Sequence, residues 1–153
     1  MNRDYTDVLK QIKGVLEGET DIIANLGNIA AILKTLPGYY WVGFYRVKGK
    51  ELVLGPFQGP VACTRIGFAK GVCGTAWAQK KAIIVPDVNE FEGHIACNAL
   101  SRSELVVPVY DHDGNVIYIL DADSDSLSAF DENDRIALEK VAGYISDSIK
   151  IAV

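Results

Sequence analysis

The hydrophobic period of this chain first changes near Tyr39, from helical to alternating, and that change limits the folds open to it. Before it, residues 4–17 place Val8, Leu9, Ile12, Val15 and Leu16 on one helical stripe. Gly18 ends that stripe. Thr20 or Asp21 can cap a second helix whose apolar set is Ile22, Ile23, Leu26, Ile29, Ala30 and Leu33. Leu36-Pro37-Gly38 stops it. From residue 39 to 47 the period is two, and Gly49-Lys50 turns the chain into a second strand over 51–57. A short helix is expected over 71–79, a short strand over 82–85 and a long loop over 87–103. A hairpin then runs from 104–110 to 116–123 across Asp113-Gly114. Asp131 can cap a last helix with the stripe Leu138, Val141, Ala142, Ile145 and Ile149. This order predicts an α+β fold. A central antiparallel sheet carries the N- and C-terminal helices on one face and a loop-covered pocket on the other.

Length and charge narrow the function. With 153 residues the chain is expected to form one domain over 1–153 with a core that needs no staples. A net charge of −5 gives no electrostatic footprint for nucleic acid or an anionic membrane. The first residues lack the apolar core of a signal peptide, and no run could span a bilayer, so a cytoplasmic protein is expected. All three cysteines, Cys63, Cys73 and Cys97, fall in one segment. In a reducing compartment they are redox-active, metal-binding or inert rather than structural disulfides.

Several groupings could carry chemistry, and each has a plainer reading. Trp41, Gly43 and Tyr45 point to one side of a strand. They make either an aromatic wall with a gap for a small ligand, or a core in which Gly43 relieves crowding. Ile117, Ile119, Asp121 and Asp123 share a face of another strand, and Glu104 opens the strand expected to pair with it. Three carboxylates against apolar strands need a cation or donors, and they raise one another's pKa, so that one can stay protonated near neutral pH. Otherwise Asp121 and Asp123 simply begin a solvated turn. Cys63, Cys73, His94 and Cys97 could ligate zinc, but no CxxC pair is present and the spacings are wide. Cys73 stands at an expected helix N-terminus, where N–H groups and the dipole favour thiolate. Cys97 follows His94 and lies near Arg102. Each thiol could equally be a buried, inert cysteine.

The motifs Tyr40-Trp41-Val42-Gly43-Phe44-Tyr45, Leu54-Gly55-Pro56-Phe57-Gln58-Gly59 and Gly71-Val72-Cys73-Gly74-Thr75-Ala76 occur together with four more. These are Val85-Pro86-Asp87-Val88, Gly93-His94-Ile95-Ala96-Cys97, Ser101-Arg102-Ser103-Glu104 and Leu120-Asp121-Ala122-Asp123-Ser124. In this combination the chain resembles the free methionine-(R)-sulfoxide reductases, a family of GAF-domain enzymes, over about residues 39–130. The resemblance implies reduction of free L-methionine-(R)-sulfoxide. It implies that Cys97 attacks the sulfoxide sulfur, Cys63 resolves and Cys73 is auxiliary. It also implies that Glu104, Asp121 and Asp123 bind substrate beside the aromatics Trp41 and Tyr45. A thioredoxin-like reductant, no metal or organic cofactor, and a homodimer through the terminal helices follow from the same resemblance. Asn98, Trp77 and Tyr118 depart from the family pattern and bear on pocket shape. The competing readings are a non-enzymatic GAF-type sensor of small molecules or oxidation, and a zinc-stabilised binding module.

Overall fold

The computed structural model describes residues 2–97 and 99–152. Asn98, one of the three departures named above, lies outside the described residues. Six strands form one antiparallel sheet in the order β3-β2-β1-β6-β5-β4. They are β1 Trp41–Lys48, β2 Glu51–Gln58, β3 Arg65–Gly67, β4 Ile83–Val85, β5 Ser103–Tyr110 and β6 Val116–Ser124. Helices α1 Thr6–Leu16, α2 Ile22–Lys34 and α4 Glu132–Ala152 flank the strand region in sequence, and α3 Gly71–Gln79 sits between β3 and β4.

The two faces of the sheet separate by the period of the strands. Val42 and Phe44 of β1, Leu105 and Val107 of β5, and Leu120 and Ala122 of β6 pack against Ile12, Leu26, Ile29, Leu33, Leu138 and Ile145 of α1, α2 and α4. Trp41, Tyr45, Val106 and Ile119 face the other way and meet Val72, Cys73 and Ala76 of α3. Helices on one face and a pocket on the other is the expected arrangement. Ile117 is an exception. The β5–β6 register shifts beside it, and it packs with the helix-side core instead of sharing the face of Asp121.

Helix starts are chemically specified. The Asp21 carboxylate accepts from Ala24 N–H at 3.1 Å, which decides between the two candidate caps of α2. Asp131 accepts from Asp134 N–H while Asp134 accepts from Asp131 N–H, a reciprocal pair that opens α4. Strand β3 and a 3-10 turn at Val88–Glu90 were not expected, because three residues carry too little periodicity to read.

One polar hub lies inside the helix-side core. Arg3 donates to Pro37 O at 2.7 Å, to Ala129 O at 2.8 Å and to Asp134 Oδ1 at 2.9 Å. Asp134 also accepts from Tyr5 OH, and the rings of Tyr39 and Phe130 lie under the guanidinium at 5.3 and 5.1 Å. It ties the first residues to the turns before β1 and α4.

Candidate active site

Strand register brings the acidic residues together. Trp41 of β1 stands opposite Asp123 of β6, and Asp123 stands opposite Glu104 of β5; Gly43 and Val106 flank Asp121 in the same way. All therefore project from the pocket face of three adjacent strands. Like charges directly across a ladder are unfavourable, so this row needs protons or a cation. The pocket above it is lined by Trp41, Tyr45, Cys73, His94, Cys97, Glu104, Asp121 and Asp123, and it encloses about 40 Å3.

Electrostatics follow from burial. Loss of water, then the neighbouring Asp121 and Asp123 charges, pushes the Glu104 carboxyl well above the usual range. Burial and then the Asp121 charge do the same to Asp123. Asp121 is also raised by burial, though bonds from its neighbours offset part of the shift. Its Oδ1 is buried with no hydrogen-bond partner among the described residues. Burial and mutual repulsion thus favour the protonated forms of this cluster more than in free carboxylates. The cluster also presents an unfilled acceptor to whatever enters the pocket.

The aromatic wall differs from its expected form. Trp41 stacks on Phe57 at 5.3 Å and on Tyr45 at 6.2 Å. A Cβ on Gly43 would stand 2.3 Å from Phe57 Cβ, so the gap is filled by Phe57 and admits no ligand. Gly43 relieves crowding, while Trp41 and Tyr45 still border the pocket. Neither Phe57 nor its stacking was singled out from the sequence; its place across from Gly43 in a hairpin was the available signal. Trp41 donates its indole N–H to Pro60 O, and Tyr45 donates its hydroxyl to Cys63 O at 2.9 Å. The Tyr45 hydroxyl thus fixes the backbone that carries Cys63.

The cysteines fall into two kinds. Cys63, between β2 and β3, and Cys97, in the loop before β5, form a disulfide across a Cα separation of 5.1 Å. Both are half-buried, and Cys97 lines the pocket. Cys73 is free and buried on α3, its Sγ 3.9 Å from Glu104 Oε2. The expectation of a thiolate there is corrected. Although Cys73 is the third residue of the helix, burial and then the Asp121, Glu104 and Asp123 charges push its thiol well above the usual value. Those terms outweigh the helix dipole.

Metal ligation takes a different shape from the expected one. Cys63 and Cys97 are bonded to each other here, so the set Cys63, Cys73, His94 and Cys97 is not assembled. Cys73, Glu104 and Asp121 instead bring one donor atom each within 4.8 Å of the others. His94 lines the pocket, and burial, partly countered by Asp121, lowers its pKa and favours the neutral ring.

A model of the GAF domain matches residues 19–150. The chain is 40% identical to the free methionine-R-sulfoxide reductase of Saccharomyces cerevisiae, over 96% of this chain and 88% of that one. It is 39% identical to the free methionine-R-sulfoxide reductase of Escherichia coli, over 92% and 86%. The chain belongs to this GAF-domain reductase family. An X-ray structure of the Neisseria meningitidis free methionine-R-sulfoxide reductase in complex with its substrate superimposes with a TM-score of 0.94. That pair is 49% identical and covers 99% of this chain and 94% of the other. The family is one of oxidoreductases, and this member is an enzyme of that class. Two departures from the family pattern lie away from the acid cluster. Trp77 stacks on Phe68 at 4.7 Å and packs against the pocket-side core, and Tyr118 packs on the helix-side core.

Proposed function

We propose that this protein reduces free L-methionine-(R)-sulfoxide to L-methionine. In the reduced protein the Cys97 thiolate attacks the sulfoxide sulfur, and a carboxyl of the Glu104, Asp121 and Asp123 cluster protonates the oxygen. Cys97 leaves this step as a sulfenic acid and methionine departs. The Cys63 thiol then attacks the Cys97 sulfur, its proton leaves with the hydroxyl as water, and the Cys63–Cys97 disulfide results. A thioredoxin-like dithiol returns both thiols, and neither metal nor organic cofactor takes part.

The observation that carries this reading is a disulfide beside a pocket floored by the buried Glu104 and Asp121 and the half-buried Asp123, all with raised pKa values. The substrate ammonium would pair with that floor, Asp121 Oδ1 included, and relieve its desolvation. Peptide-bound methionine sulfoxide has a neutral amide in place of the amine and is rejected on that ground. Trp41 and Tyr45 hold the methyl-sulfur end. A space of about 40 Å3 takes a water or two and no amino acid, so binding belongs to the reduced protein, with the loop before β5 released from Cys63.

Cys73 is assigned the auxiliary role of exchanging with the disulfide. Its raised pKa leaves little thiolate, so this route is slow at neutral pH. The whole chain, 1–153, acts as one GAF domain in the cytoplasm, as a twofold dimer through its terminal helices. No helix among the described residues is long and apolar enough to cross a membrane. The test is an assay of free and peptide-bound methionine sulfoxide in both epimers with a dithiol present. Turnover is expected for the free R epimer alone, and equal turnover of a peptide-bound form refutes the assignment.

A further inference from the structure

We propose that the oxidised protein binds one thiophilic divalent cation, of the zinc class, through Cys73 Sγ and the carboxylates of Glu104 and Asp121 on the floor of the pocket. The site is independent of the reductase reading; only its consequence for the substrate rests on that reading.

The disulfide decides which donors are available. With Cys63 and Cys97 bonded to each other, Cys73 is the one free thiol of a chain with three cysteines. It comes from α3, whereas Glu104 comes from β5 and Asp121 from β6, so three elements converge on one point. One donor atom from each lies within 4.8 Å of the other two, and the sulfur stands 3.9 Å from Glu104 Oε2. Donor atoms around a tetrahedral zinc lie roughly 3.5 Å apart, given Zn–S of about 2.3 Å and Zn–O of about 2.1 Å. The triad exceeds that spacing by little more than about 1 Å at most.

Asp121 points to a cation independently of this spacing. The residue is 5% exposed and borders the pocket, yet its Oδ1 is buried with no hydrogen-bond partner among the described residues. A carboxylate oxygen orphaned beside a second carboxylate and a sulfur calls for a positive charge. The buried cation Arg3 is committed to Asp134.

Size and softness choose the ion. The pocket encloses about 40 Å3, room for a small ion with a water and none for an amino acid. Calcium takes about six to eight oxygen ligands, and magnesium an octahedral shell that keeps several waters; neither favours sulfur. Zinc or cadmium accepts a thiolate with two carboxylates and leaves its fourth position to a water. The metal stabilises the thiolate, and the Cys73 proton passes to solvent. His94, Ile95 and Ser101 line the same pocket and are partly exposed, which gives the ion a way in. A cation held here occupies carboxylates assigned above to the substrate ammonium, so it must leave before the sulfoxide binds.

The experiment titrates tag-free, oxidised full-length protein with Zn2+, Cd2+ or Mg2+ alone. Calorimetry is expected to show one Zn2+ bound per chain, and Cd2+ to raise the ultraviolet sulfur-to-cadmium charge-transfer band. Mg2+ at the same concentrations should do neither. In Cys73→Ser the cadmium band should vanish, and zinc affinity should fall at least about tenfold there and in Asp121→Asn. No zinc binding by the oxidised wild type, or binding without the cadmium band, overturns the proposal, and this holds even where a variant fails to fold. Equal zinc affinity in both variants puts the metal elsewhere and overturns it as well. No sulfoxide is consumed in these titrations, so the metal site and the substrate assignment can fail separately.

Discussion

The two faces of the sheet bury charge in opposite ways. On the helix side, Arg3 and Asp134 meet at 2.9 Å with side chains 0% and 1% exposed, and carbonyls, a tyrosine hydroxyl and two rings complete the hub. On the pocket side, Glu104, Asp121 and Asp123 lie together with no cation among them, and Asp121 Oδ1 is unpartnered among the described residues. A buried pair of opposite charges offsets much of its own desolvation, even with Arg3 Nη2 unpartnered among the described residues, whereas a buried set of like charges costs stability and persists only if something else selects it. The first is a structural joint. The second is the cluster to which substrate binding is assigned above.

Substitutions can break this contrast. The largest effect is expected for Cys97→Ser, which should lower turnover of free methionine-(R)-sulfoxide to assay background while the melting temperature of the reduced protein holds. Glu104→Gln should cut kcat about a hundredfold or more, as loss of a positioned acid does, and yet should stabilise the fold. The sign is fixed by linkage. The raised folded-state pKa means that the native protein holds a proton that the unfolded chain releases, so stability is greatest at low pH and falls as pH rises through the folded value. Thermal melts of the wild type should therefore decline from about pH 4 upward on account of this cluster. In Glu104→Gln the decline should flatten, with a gain in melting temperature at neutral pH. A variant that melts lower than wild type at pH 7 would remove the strain from this account.

The joint should respond the other way. Arg3→Met leaves Asp134 buried without its cation and should cost about 3–5 kcal/mol by chemical denaturation. KM and kcat well below the melting point should stay near wild type. Gly43→Ala drives a methyl into Phe57 and should cost about 1–3 kcal/mol in the same measurement. Smallest of all is Cys73→Ser, for which steady-state turnover with thioredoxin should change by no more than about threefold, because the buried thiol is scarcely ionised. A collapse of recycling in that variant would instead make Cys73 an obligatory relay.

Much of this architecture was legible along the chain, because it depends on local rules. The stripe Leu26, Ile29, Leu33, the stop at Pro37-Gly38 and the cap at Asp131 are set by neighbours three or four residues away. The alternation that puts Trp41 and Tyr45 on one face and Val42 and Phe44 on the other is equally local. Strand β3, with three residues, and the bulge that turns Ile117 to the helix side leave no such trace.

By itself the sequence determined the family, since Cys73, Cys97, three carboxylates and two aromatics stand in motifs that mark it. Only the tertiary structure decided what those residues experience. Burial pushed the Cys73 thiol up, which decided between the reactive and the buried readings open from the sequence, and Phe57 closed the gap beside Gly43. Pairing of β5 with β6 and of β6 with β1 set Glu104, Asp123 and Trp41 in one row. The reason is physical: residue type fixes an intrinsic pKa and size, whereas water, neighbouring charge and packing partners are supplied by segments distant in the chain.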